Sequence, residues 1–125
     1  MRGMSSFFLD LYDAPGLVSR TAERIGSVLL GMVERHFALV PPNLGGFGHM
    51  YGYWAPAQTF VLQEDVLGLC APEIYREQFL EHDAKIVDRL GAYTLFHLHS
   101  SGYQHYRHIL GIPVLAVMQI TIEAN

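Results

Sequence analysis

The fold is decided by residues 93–122, which read YTLFHLHSSGYQHYRHILGIPVLAVMQITI. Tyr93 to His99 is rich in β-forming residues, and Val114 to Ile122 is almost entirely β-branched or apolar. Between these two runs, Tyr103 to Leu110 has helical character and ends at Gly111. A strand, a helix and a second strand in this order favour a right-handed crossover, and therefore two parallel strands.

The same alternation of strand and helix continues upstream. Thr59 to Asp65 forms a short β-prone run, and Pro72 begins a helical pattern that Gly91 closes. A longer amphipathic pattern begins at Pro15. The sequence therefore predicts an α/β fold with three parallel strands that are covered on both faces. The strands are expected near residues 59–65, 93–99 and 114–122, and the flanking helices near residues 15–39 and 72–90.

Length and composition limit the chain to one domain. It has 125 residues, of which 50% are apolar and 16% are charged, so it can bury a core and lacks the signature of disorder. We expect a single domain over residues 1–125, half the size of a closed (β/α)8 barrel of roughly 250 residues. A formal net charge of -4 gives no electrostatic footprint for nucleic acid or for an anionic membrane. Neither is expected as a partner.

Two further features concern the cellular compartment. The sequence has no run of about eighteen apolar residues and no signal-peptide pattern at its N-terminal end. Cys70 is the only cysteine, so no internal disulfide can form, which is typical of a reducing compartment. The sequence therefore predicts a soluble, cytoplasmic protein.

Polar side chains collect where each predicted strand ends. Parallel α/β folds bind ligands at the carboxyl ends of their strands. Because side chains alternate along a strand, each run changes from apolar to polar on a single face. The candidate rim residues are Gln63, Asp65, His97, His99, Ser101 and Gln119.

An aromatic and glycine-rich segment, residues 41–58, shows neither a helical nor a strand period. Loops of this length inside compact domains are commonly lids or binding loops, although their aromatic side chains can also simply pack on the core. Tyr53 and Trp54 are the candidate substrate-binding residues of this segment.

The pair His97 and His99 is the strongest local signal of chemistry. Two imidazoles on one strand face can ligate one metal ion, or can place a hydrogen-bond donor and a proton carrier beside a substrate. A metal needs a further ligand, and spacing alone does not choose among Asp65, Glu64, His49 and Cys70. For His105 and His108, on the next helical stretch, we expect a solvated helix face.

Several segments together resemble a known family. They are Leu62-Gln-Glu-Asp65, Ala71-Pro-Glu-Ile-Tyr-Arg-Glu-Gln-Phe79, Lys85-Ile86 and His97-Leu-His-Ser-Ser-Gly102. Over residues 59–122 the chain is similar to the C-terminal half of the uroporphyrinogen decarboxylase superfamily, which also contains cobamide-dependent methyltransferases. The resemblance implies a partial (β/α)8 TIM barrel that belongs to a longer enzyme.

The resemblance also implies roles for the rim residues. His99 and Asp65 would be catalytic, and a carboxylated small molecule or a tetrapyrrole-like ring would be the substrate. Ser101 stands where the methyltransferase branch has a zinc-binding Cys, so no cofactor is expected, with zinc at His97 and His99 as the alternative. The substrate-binding residues would be His97, Ser101, Gln119, Gln63, Tyr53 and Trp54.

Four functions remain open from the sequence. They are a decarboxylase-type lyase, a cobamide-dependent methyltransferase, a metal-dependent hydrolase that uses the pair of His97 and His99, and a non-catalytic or truncated module. Three strands cannot close a barrel, so the chain alone is expected to be inactive. Its open sheet edges predict either a homo-oligomer or pairing with the remainder of a barrel.

Overall fold

The computed structural model describes residues 3–123, which form an α/β fold with two 3₁₀ helices at Asp65–Leu69 and Ser100–His105. The α-helices are α1 (Met4–Asp13), α2 (Pro15–Leu39), α3 (Pro72–Gln78), α4 (Leu80–Leu90) and α5 (Tyr106–Leu110). The strands are β1 (Phe47–Gly48), β2 (Trp54–Ala55), β3 (Thr59–Gln63), β4 (Tyr93–His99) and β5 (Val117–Thr121). Within these residues, no helix is long and apolar enough to cross a lipid bilayer.

Three parallel strands form the main sheet in the order β3-β4-β5, which confirms the predicted strands and their direction. The first strand ends at Gln63, two residues earlier than predicted, because a 3₁₀ helix begins at Asp65. The third strand begins at Val117, three residues later than predicted, because Val114 lies in a turn with φ 57°. The register sets Gln63 beside His97 and His97 beside Gln119. One polar residue from each strand therefore lies at the same level of the sheet.

Different elements pack on the two faces of the sheet. Even-numbered strand residues pack against helical side chains to form the main core, in which Phe96 and Leu98 are completely buried. On the odd-numbered face, residues 41–58 contact the sheet through Tyr51 and Tyr53. The helices that pack on the sheet therefore cover one face, and the aromatic segment covers the other.

The helix predicted over residues 72–90 is two helices, because the backbone changes direction at Phe79. Phe79 lies between the core on the sheet and a smaller apolar cluster formed around α1. The centroids of the Phe79 and Phe7 rings are 6.5 Å apart. The predicted end at Gly91 is confirmed, with a left-handed φ of 54° that favours glycine. The predicted helix over residues 15–39 is also confirmed.

Other elements were not predicted. The helix α1 buries Leu11 in the smaller cluster, together with Val18 and Cys70. The segment 41–58 contains a short antiparallel hairpin, in which β1 pairs with β2. The expectation of a solvated face is wrong for His105, which is fully buried with its Nε2 2.8 Å from the carbonyl oxygen of Leu67. That contact joins the two 3₁₀ helices.

A carboxyl group lies buried under the helical layer. Asp83 on α4 is only 5% exposed and accepts a 2.8 Å hydrogen bond from the Tyr75 hydroxyl. Loss of hydration raises its pKa to about 6, although the bond from Tyr75 acts in the opposite direction. Burial and the nearby Asp83 raise the pKa of Glu64 to about 8. Ionised carboxylates therefore cost stability here.

We expect Asp83→Asn to change how stability depends on pH. The pKa of Asp83 in the folded protein exceeds its ordinary value, so its favourable contribution is fully present below pH ~4 and is lost as the pH rises through about 6. The variant cannot ionise at this position, so its free energy of unfolding relative to wild type should rise by about 1 to 3 kcal/mol between these limits. Urea unfolding at several pH values measures this difference.

The exposed Asp88 on the same helix supplies the control variant Asp88→Asn. A difference between Asp83→Asn and wild type that stays flat or falls with rising pH would contradict the prediction.

Candidate functional site

The candidate site lies at the carboxyl ends of β3 and β4, on the odd-numbered face. Asp65, His97 and His99 each offer one ligand atom there, and these atoms all lie within 4.8 Å of one another. Asp65 begins the 3₁₀ helix that follows β3, and the two histidines project from alternate positions of β4. The fold therefore unites three residues that the sequence placed on one rim.

His97 is held by a neighbouring strand. It is buried, and its Nδ1 is hydrogen-bonded to Oε1 of Gln119, which lies beside it in the register. The amide Nε2 of Gln119 donates to the Thr121 hydroxyl at 3.4 Å. An amide oxygen only accepts hydrogen bonds, so Nδ1 of His97 carries the proton. The lone pair of Nε2 is therefore available to a ligand.

His99 is held in a similar way by an acidic residue. Its Nδ1 donates to Oε1 of Glu123 at 2.7 Å, and the second carboxylate oxygen accepts a bond from Ser100 at 3.0 Å. These two bonds, that from His99 first, lower the pKa of Glu123. Nε2 of His99 lies 3.5 Å from Oδ1 of Asp65. In both histidines Nδ1 is thus occupied by a hydrogen bond, and Nε2 is the ring nitrogen left for a ligand.

The carboxylate of Asp65 is oriented by the strand that precedes it. Nε2 of Gln63 donates to Oδ2 of Asp65 at 3.0 Å, which leaves Oδ1 directed at His99. Asp65 is exposed, whereas His99 is only partly exposed. The cluster is therefore buried on the His97 side and open to solvent on the Asp65 side.

A stack of rings from residues 41–58 forms one wall of the site. Tyr51 stacks on His97 with 4.8 Å between ring centroids, and His49 stacks on both Tyr51 and Tyr53. The hydroxyl of Tyr53 donates to the carbonyl oxygen of Tyr93 at 3.1 Å. Burial lowers the pKa of His49. The stack therefore covers His97 with an apolar surface.

Two of the predicted substrate-binding residues lie apart from this cluster. Ser101 is exposed and lies against Gly68. A Cβ added to Gly68 would lie 2.5 Å from the hydroxyl oxygen of Ser101. Trp54 is 55% exposed and packs its ring on Gly46. Tyr53 reaches the cluster only through His49 and Tyr51.

Among the four third ligands that the sequence left open, the geometry selects Asp65. Glu64 lies near Asp83 of α4 on the helical side of the sheet, Cys70 lies in the cluster around α1, and His49 is separated from His97 by Tyr51. Burial, and secondarily Glu64, raise the pKa of the Cys70 thiol, which therefore stays protonated.

Two residues of the site, Tyr51 and Glu123, are not among those predicted from the sequence. Glu123 lies two residues beyond Thr121, so the strand alternation that singled out Gln119 could have found it. Nothing in the sequence distinguishes Tyr51 from the other aromatic residues of its segment.

No known protein-family model, curated protein or solved structure matches the chain. The chemistry that the site can perform is therefore inferred from its geometry alone.

We expect the neutral His97 ring to carry its proton on Nδ1, because Gln119 accepts from that atom. Long-range ¹⁵N–¹H NMR spectra distinguish the two tautomers. In Gln119→Ala this preference should be lost, because the acceptor is gone. Gln63→Ala is the matched control, since Gln63 lies at the same level of the sheet but bonds Asp65. An Nε2-protonated ring in wild type would contradict the prediction.

Proposed function

We propose that this protein is a metal-dependent hydrolase whose divalent ion is held by Asp65, His97 and His99. The observation that carries the proposal is that both histidines have an acceptor on Nδ1, which leaves each Nε2 free, and that Asp65, His97 and His99 each offer a ligand atom within 4.8 Å of the others. Histidines that ligate a metal almost always donate their other ring N–H to a carboxylate or carbonyl in this way.

The spacing of one donor pair matches that of a zinc site. Atoms about 2.1 Å from a tetrahedral ion lie about 3.4 Å apart. Nε2 of His99 and Oδ1 of Asp65 are 3.5 Å apart, so this pair needs almost no movement. Imidazole with carboxylate is a donor set that suits zinc and similar first-row ions. Three protein ligands leave a coordination position for water or substrate.

A metal at this position would supply activated water for hydrolysis near neutral pH. The remaining groups act around it: Gln119 and Glu123 orient the two imidazoles, and Gln63 orients Asp65. Tyr51 excludes water from one side of His97. The exposed Asp65 side is the side from which a small-molecule substrate enters.

Metal analysis tests the proposal directly. Protein purified without chelator, stripped and then titrated with zinc, should bind about one ion per chain, measured by mass spectrometry and by calorimetry. His97→Ala, His99→Ala and Asp65→Asn should each weaken binding by ~10-fold or more, because each removes one of three ligands. His108→Ala is the control, because His108 lies on α5 away from the cluster. Equal affinity in all four variants would reject the site.

Gln119→Leu tests only the role of Gln119 in orienting His97. It keeps all three ligands but removes the acceptor on Nδ1 of His97, so zinc affinity should fall by roughly 10- to 100-fold. Gln104→Leu is the control, since Gln104 donates to the carbonyl oxygen of Cys70 instead. Unchanged affinity in Gln119→Leu would show that the strand does not tune the site.

The second candidate is a lyase of the uroporphyrinogen decarboxylase type, built on a partial (β/α)8 barrel. It is favoured by the one-sided helical layer, because a barrel has helices outside its strands and polar side chains on its inner rim. His99, held between Asp65 and Glu123, would then move a proton at Nε2 without a metal.

Uroporphyrin distinguishes the two candidates as a probe of carboxylated tetrapyrrole binding. Under the second candidate, metal-free protein shifts the absorption of uroporphyrin, and His99→Ala weakens that change. If the absorption of uroporphyrin does not shift and zinc binds tightly, the lyase is rejected and the hydrolase is supported.

A further inference from the structure

A cavity of about 790 Å³ lies beside β3, under α2 and α4. We call it the edge slot. Its lining includes five consecutive residues, Phe60 to Glu64. Side chains of consecutive strand residues point to opposite faces, so a space that touches all five lies against the edge of the strand rather than on one face.

That edge has no strand beside it within residues 3–123, since β3 pairs only with β4. An edge strand presents a row of backbone N–H and C=O groups that can template another strand. The slot therefore combines apolar walls with a polypeptide edge.

The walls of the slot combine apolar and polar groups. Ile25 and Leu29 of α2 and Ile86 of α4 supply apolar side chains. Glu64, directly after β3, supplies a carboxyl group. The polar residues that the helices contribute to the lining are Asp10, Thr21, His82 and Asp83. An extended polypeptide satisfies both the edge and the walls, whereas a purely apolar ligand would leave the backbone groups unpaired.

We propose that the edge slot receives β5 of a second copy of this chain, which adds to β3 as a parallel strand. β5 is the other edge of the same sheet, and its five residues match the five of β3. Its even-numbered residues, Met118 and Ile120, are apolar and would lie under α2 on the helical side. β5 therefore matches β3 in length, and its apolar side chains fall on the helical face of the sheet.

Parallel addition also extends the polar rim. With the five residues of β5 opposite the five of β3, the partner's Gln119 and the partner's Thr121 would follow the odd-numbered face and lie beside Val61 and Gln63. The carboxyl ends of all strands then stay on one rim, and each copy contributes residues to the open side of its neighbour's site. Such a contact is head-to-tail, so repetition builds a ring or a filament. The proposal is independent of the metal.

Sedimentation velocity of the full chain over a wide concentration range tests the proposal. Wild type should associate reversibly, and Ile25→Glu should raise the dissociation constant by at least ~10-fold, equivalent to about 1.4 kcal/mol. Val28→Glu is the matched control: both residues are β-branched and lie on α2, with exposures of 63% and 60%, but only Ile25 lines the slot. Circular dichroism establishes that both variants are folded.

A mixing experiment separates head-to-tail pairing from other modes. Ile25→Glu keeps an intact β5, so it should still associate with wild type and cap its assemblies. A peptide of residues 116–122 should compete with wild-type association. A concentration-independent wild-type monomer would overturn the proposal and assign the slot to another polypeptide. Self-association of Ile25→Glu as tight as that of wild type would overturn the proposal in favour of pairing between two β5 edges. Equally weakened association in Ile25→Glu and Val28→Glu would overturn it in favour of unspecific apolar contact through α2.

Discussion

The hydrogen-bonded register of the three parallel strands is the constraint on which the site depends. It places Gln63, His97 and Gln119 side by side, and Asp65 and His99 follow one step further along the same face. A slip of one residue between β4 and β5 would turn Gln119 toward the helices and bring an apolar side chain beside His97. The orientation of an imidazole is thus set by strand pairing.

The apolar core in turn fixes that register. The even-numbered face packs Leu62, Phe96 and Leu98 against α4 and α5, and all three are almost fully buried. A slipped strand would bury polar residues without partners in this layer, which costs far more than any single contact at the rim. The polar face is therefore positioned by packing on the opposite side of the sheet.

The sequence predicted the parts of the molecule that follow from local periodicity. Strand alternation located Asp65, His97, His99 and Gln119 on one rim, because apolar and polar residues change places along each strand. It could not predict the break at Phe79, since that bend depends on how the ring packs against α1. It missed the burial of His105 for the same reason, because its partner, the Leu67 carbonyl, is distant in sequence.

The aromatic segment 41–58 links the stability of the fold to access to His97. It turns at Gly45 and Gly52, both with φ of 77°, and contacts the sheet through stacked rings and the bond from Tyr53. Few contacts hold such a segment, so it opens at a lower free energy than the strands separate. Tyr51 can then leave His97 while the register persists. Local opening, rather than global unfolding, sets how often the buried imidazole meets solvent.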